Sequence, residues 1–273
     1  MLPFINIFGS QVNTYGICAA IGLFVSLTVG YFLVRKKGIC YEDLIVTAVY
    51  VVFGILIGSH VLFGVTNIPN IIDLFKNASQ YDFIDFMTKL FGEYLGGMVY
   101  YGGFLGGLAA LALTYKYSKF GHSIEVFDMF AVCIPLFHTF GRIGCFLGGC
   151  CYGMESEFGF TAHGNTVVPS VNDVNRFPVQ LVESAGNLLI FFFLLFLYKK
   201  EKFVNRLIIA YLYVYPVVRF TLEFFRGDTY RGFLFGLSTS QIVSLVLFIF
   251  AIVFTIVDRL RVSGKPKEAA PAQ

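Results

Sequence analysis

The chain has no tryptophan and very little charge: only 14% of its 273 residues are Asp, Glu, Lys or Arg. A soluble domain of this length carries about a quarter. The shortage argues against a water-soluble globule. The six cysteines, Cys18, Cys40, Cys133, Cys145, Cys150 and Cys151, form no C-x-x-C pair and no Cys/His spacing typical of zinc. No metal and no cofactor is therefore expected. Internal repeats are absent, as is any segment polar enough to be a separate soluble domain. The N-terminal MLPFINIFGSQVN lacks a basic leader and a small-residue cleavage pattern, so no removable signal peptide is expected. A net charge of +3 is too small to argue for a nucleic-acid partner, and none is expected.

What the chain does have is apolar length. It is 57% hydrophobic with a mean hydropathy of +0.74. Apolar runs lie near residues 15–34, 44–65, 97–115, 124–146, 179–198, 207–225 and 238–257, and several exceed the ~18 residues that cross a bilayer. Aromatic residues, all Phe and Tyr, make up 18%, which suits lipid and interfacial contact. Alternate connecting segments hold most of the 20 Lys and Arg: Arg35-Lys36-Lys37, then Lys116 and Lys119, then Lys199 to Arg206, then Arg259 to Lys267. The positive-inside rule places these four in the cytoplasm. The expectation is an all-α polytopic membrane protein of about seven transmembrane helices, N-terminus outside and C-terminus cytoplasmic.

Residues 1–261 read as a single integral membrane domain. Near residues 67–95 apolar residues recur every three or four positions among Asp, Lys and Glu, the pattern of a helix lying in the outer interface. Residues near 148–178 are polar and rich in Gly and Asn, as in an outer loop. The tail 262–273, rich in Pro, Ala and Lys, is expected to be disordered and cytoplasmic. Gly54/Gly58 and Gly102-Gly103/Gly106-Gly107 have the spacing that lets helices approach closely. Gly102 and Gly103 also have room for a lipid headgroup.

Charges inside apolar runs carry the chemical information, because an arginine at a helix centre costs about 2.5–3.5 kcal/mol. Arg142 follows His138 by four residues, on the same helix face, and is flanked by Gly141 and Gly144. Snorkelling to the interface is the plainer alternative. At 100° per residue, Arg219, Glu223 and Arg226 fall within about 60° of one another, either as a self-neutralising ion pair or as a stripe with one positive charge to spare. In a bilayer the abundant anion is lipid phosphate, which a guanidinium grips with two hydrogen bonds. Two arginines from different spans at one depth make a phosphodiester clamp. Tyr15, Gln180 and Glu183 fall on the same outer side and are weak signals singly.

The string GRIGCFLGGCCYG from Gly141 to Gly153 is similar to the signature of the prolipoprotein diacylglyceryl transferases. Tyr15-Gly16, P-x-Q-L-x-E at Pro178–Glu183, and R-F-x-x-E-F-F-R-G-D followed by L-S-T-S-Q at Arg219–Gln241 extend the resemblance across nearly the whole chain. It implies an enzyme of the bacterial inner membrane that moves the diacylglyceryl group of phosphatidylglycerol to the lipobox cysteine of a prolipoprotein signal peptide. By that resemblance Arg142 and Arg219 are catalytic, and Tyr15, Glu223 and Gly153 bind substrate. Gly141, Gly144, Gln180, Glu183 and Arg226 are candidate substrate contacts beside them. Three positions depart from the family. Cys145 stands for an Asn, Cys150 for a Glu, and Tyr101, the candidate base, for a His. Cys145, Cys150 and Cys151 read either as apolar filler or as reactive thiols. A membrane thiol oxidoreductase and a non-catalytic lipid-binding protein are the alternative readings.

Overall fold

The computed structural model describes residues 1–36, 41–117, 124–228, 233–234 and 236–263. Each predicted apolar run coincides with a helix: α1 (Thr14–Lys36), α2 (Tyr41–Thr66), α5 (Tyr100–Tyr117), α6 (Ile124–Gly148), α7 (Val179–Lys199), α8 (Leu207–Glu223) and α9 (Thr239–Ser263). The polytopic helical class is thus what the structure shows. Among the described residues five of these, α1, α2, α6, α7 and α9, are long and apolar enough to cross a bilayer. α8, with 17 residues, is about 26 Å long against an apolar core of about 30 Å. α9 runs to Ser263, two residues into the predicted tail. Residues 264–273 and the Tyr101 side chain lie outside the described residues.

The chain forms two compact units, Tyr31–Val126 and the remainder. In the first, α2 and α5 pack backbone to backbone. A Cβ on Gly102 would lie 2.2 Å from the Gly58 carbonyl oxygen, and one on Gly106 would lie 2.0 Å from that of Gly54. A Cβ on Gly103 would meet Ser59 Oγ at 2.6 Å. Packing against α2 therefore accounts for the missing side chains of both Gly102 and Gly103. Residues 67–95 fold as α3 (Ile68–Lys76), α4 (Phe83–Met87) and a π-helical turn, Thr88–Tyr94.

In the second unit a hairpin of β1 (Phe4–Ile7) and β2 (Ser10–Asn13) leads into α1, where Asn13 Oδ1 accepts the Tyr15 amide at 2.8 Å. α6 buries more of its length than any other candidate span. Its partner α7 turns inward an unusually polar stripe, Gln180, Glu183, Ser184 and Asn187, all buried. A stripe of that kind must find partners, and the Ser184 hydroxyl donates to the Thr139 carbonyl of α6 at 3.0 Å. At the other end of α6, the Asp128 carboxylate accepts the backbone amides of Asn205 and, at 2.9 Å, of Leu207, taking up donors that the start of α8 cannot satisfy itself. α9 opens with a reciprocal capping box. Ser238 N donates to Gln241 Oε1 at 2.9 Å, and Gln241 N to Ser238 Oγ at 3.2 Å.

The predicted loop of residues 148–178 is a folded cap. β3 (Glu155–Thr161) pairs antiparallel with β4 (Asn175–Arg176), and Tyr152, Ala162 and Val171 form a small core. Asn165 ties the cap to α6 by donating its side-chain amide to the Gly148 carbonyl at 3.2 Å, while its Oδ1 accepts the Val167 and Val168 amides.

Candidate functional site: an arginine–carboxylate cluster

Three arginines and three carboxylates meet at the end of α6, α7 and α8. Glu183 of α7 is the common partner. Arg142 Nη2 approaches its Oε1 at 3.0 Å, and Arg219 Nη1 approaches its Oε2 at 3.4 Å. The first is a charge contact that misses hydrogen-bonding angles, so Oε1 accepts no hydrogen bond. Arg219 Nη2 lies 2.9 Å from Glu223 Oε2, one turn further along α8, and donates to Ser240 Oγ of α9 at 3.0 Å. The capping box at Ser238 and Gln241 fixes the turn that presents Ser240. Arg226 donates twice to Asp228, at 3.0 and 2.7 Å, and lies 4.0 Å from Glu223. Burial alone disfavours the Arg226 cation, but the Asp228 hydrogen bond and charge hold its pKa above the ordinary arginine value.

The two arginines that the sequence pairs from different helices are thus brought together, and through a shared acid. Of the two readings of the Arg219–Glu223–Arg226 stripe, the structure favours the neutralised one, with partners beyond the stripe itself. Glu183 and Asp228 are those partners, and the six groups balance. That balance follows from burial, since Arg219 is 7% and Glu183 2% exposed and an uncompensated ion at such depth costs several kcal/mol. Arg142 differs from the other two. Its side chain is 11% exposed, its Nε has no hydrogen-bond partner, and a Cβ on neighbouring Gly141 would meet nothing within 4 Å. This guanidinium keeps donor capacity.

The remaining candidates divide by what they touch. A Cβ on Gly144 would press on Tyr15 Cδ2 and Cys18 Cβ, each at 3.1 Å, so Gly144 seats the start of α1 and the Tyr15 ring against α6. Gln180 donates to the Cys150 carbonyl at 2.9 Å, anchoring the cap. Gly153 has the Phe177 carbonyl oxygen 2.1 Å from where a Cβ would stand, and it bridges to Arg226, the residue whose side chain closes the cluster. Asp228 and Ser240 stand inside strings that carry the family resemblance but have no role assigned there, and Asn165 and Arg176 belong to none of those strings. Arg176 donates to the carbonyls of Gly153 and Ser170 and lies 4.5 Å over the Tyr152 ring.

The three cysteines converge. Cys145 sits in the last turn of α6, and its carbonyl accepts the amides of Gly149 and Cys150 at 3.0 and 3.1 Å. Gly149, at φ +82°, reverses the chain, and Cys151 takes the left-handed conformation at φ +56°. The three sulfurs consequently lie within 4.8 Å of one another. Arg142 Nη1 stands 4.0 Å from Cys145 Sγ.

Helices of membrane-spanning length around a buried arginine–carboxylate cluster, with a folded cap at their ends, define a multi-pass membrane protein built around an ion-pair site. Residues 3–257 match the prolipoprotein diacylglyceryl transferase family, and the chain belongs to it. It is 30% identical over 258 residues to a phosphatidylglycerol–prolipoprotein diacylglyceryl transferase of Clostridium tetani, covering 94% of this chain and 97% of that one. A Clostridium perfringens protein of the same name, numbered 2, is 29% identical over 260 residues and 94% of each chain. One from Campylobacter curvus is 32% identical over 256 residues, 89% of this chain and 88% of its own.

Proposed function

We propose that this protein transfers the diacylglyceryl group of phosphatidylglycerol to the lipobox cysteine thiol of prolipoproteins, in the bacterial inner membrane with its N-terminus outside. The names of its relatives support the donor and the acceptor class. One observation carries the chemistry: Arg142 and Arg219, on separate helices, are both held by Glu183. In the reaction the acceptor sulfur attacks the glyceryl carbon, the carbon–oxygen bond to phosphate breaks, and glycerol phosphate leaves with an added negative charge. Preorganised cations facing that charge are the strongest aid a protein offers such a step. Arg142, with its unpartnered Nε and the open side of Gly141, takes the phosphate. Arg219 holds Glu183 in place and adds positive potential without surrendering its own partners. Tyr15 and Gly144 shape the approach to Arg142, while Gln180, Gly153 and Arg226 secure the cap and Glu223 anchors Arg219 and, just beyond the end of α8, Arg226. Tyr101 or water accepts the thiol proton.

Expression in a strain depleted of its own transferase tests this. Mature lipoprotein should reappear with the wild-type chain and fail to appear with Arg142→Ala. No maturation from a well-expressed wild-type chain would overturn the proposal.

A further inference from the structure

The transfer reaction leaves the three cysteines unexplained. Their geometry is built: a helix terminus, a glycine reversal and a left-handed residue turn Cys145, Cys150 and Cys151 toward one point. Three attachments outside the turn hold it, Gln180 on the Cys150 carbonyl, Asn165 on the Gly148 carbonyl and the Gly153–Arg226 bridge. Thiolates around one zinc at about 2.3 Å lie about 3.8 Å apart. Sulfurs already within 4.8 Å reach that with small side-chain rotations. No His, Asp or Glu joins the group among the described residues. Three protein ligands with one position open is the arrangement of a reactive zinc rather than a structural one. Three thiolates around a divalent cation also carry a net negative charge, and the Arg142 guanidinium stands 4.0 Å from one of the sulfurs to offset it.

We propose that Cys145, Cys150 and Cys151 bind one zinc ion as thiolates and that its open position takes the acceptor cysteine of the prolipoprotein. The assignment rests on the transferase reading. Coordination deprotonates the incoming thiol, its proton passing to water. The zinc-bound thiolate attacks the glyceryl carbon of the lipid held at Arg142. A sulfur–carbon bond forms, the carbon–oxygen bond breaks, and both electrons of that bond leave on glycerol phosphate. The thioether product is a neutral, poor ligand and departs, so zinc is regenerated with no change of oxidation state. Zinc thus does the work of a general base, at two of the positions where the chain departs from its family.

Full-length protein, purified in detergent under reducing conditions, should retain close to one zinc per chain. Cobalt(II) substituted for it should show sulfur-to-metal charge-transfer bands. Cys145→Ser, Cys150→Ser and Cys151→Ser should each weaken zinc binding by more than about 100-fold, beyond the ~10- to 100-fold that loss of a supporting group gives. Chelation of the wild type should abolish transfer and added zinc restore it, an arm that requires no variant to fold. Absence of retained zinc, zinc retained equally by all three variants, preference for three-coordinate copper(I), or a disulfide within the triad in freshly reduced protein would each overturn the site. Full transfer by the chelated protein would overturn zinc's role while upholding the transferase. Stoichiometric zinc on the three thiols with no transfer at all would instead refute the transferase reading and leave the metal site standing.

Discussion

α2 and α5 meet through bare backbone, whereas α6, α7 and α8 meet through full-length charged side chains. Both solve the same difficulty. Lipid is as apolar as leucine, so helices in a bilayer gain little from burying hydrophobic side chains against each other. The glycine seam gains close contact instead, with Gly54, Gly58, Gly102 and Gly106 removing everything between two helix backbones. The ionic cluster gains Coulomb attraction in a setting where water does not compete. The seam tolerates no added atom. The cluster tolerates no lost charge. The seam places no ionisable group at the contact; the cluster gathers arginine donors from separate helices around one carboxylate.

Breaking the cluster at its centre should have the largest effect. Glu183→Ala leaves Arg142 and Arg219 without their shared acid and should cost about 3–5 kcal/mol, read as a large drop in thermal unfolding temperature in detergent. Arg142→Lys keeps the charge and loses the fork. Transfer should fall about 10²- to 10³-fold while the unfolding temperature stays near wild type. Unchanged turnover there would argue that Arg142 is structural, like its neighbours. On the other side of the comparison, Gly102→Ala forces a methyl against the Gly58 carbonyl and should cost about 1–3 kcal/mol. If Gly102 serves only packing, phosphatidylglycerol affinity per folded molecule should not move. The smallest effect should come from a pair outside both regions. Asp73→Asn breaks an ion pair to Lys76, 69% exposed on each side, and should change stability by less than about 0.5 kcal/mol.

The helices and the two key arginines were legible in the sequence because each is a departure from a strong background. Long apolar runs stand out against loops, and an arginine stands out within an apolar run. Glu223 followed from helix spacing alone. The role of Glu183 was not legible, since a single Glu near the start of a span is common and its position between two arginines depends on how α7 packs. Asp228, two residues past Arg226, is visible in the sequence, and with Glu183 it favours the neutralised reading of the stripe over the one with a charge to spare. Ser240 required knowing that the Ser238–Gln241 cap turns the start of α9 toward Arg219. The three thiols are visible in the sequence as a group, but the convergence of their sulfurs on one point is not, for a related reason. The spacing of Cys145, Cys150 and Cys151 matches no zinc pattern, but spacing patterns assume ordinary turns, and a left-handed residue at Cys151 is not one. Gly102 and Gly103 had two readings in sequence, and the α2 backbone supports packing.

Glu183 is gripped from both sides, by Arg142 of α6 and Arg219 of α8. A helix surrounded by lipid tails has almost nothing to fix its angle about its own axis. Slipping α7 by a single residue would swing that carboxylate through 100° and strand it in hydrocarbon, with both guanidiniums abandoned at once. The twin grip therefore works as a detent: it sets the rotation of three rods to within a fraction of a turn, which hydrophobicity alone cannot do.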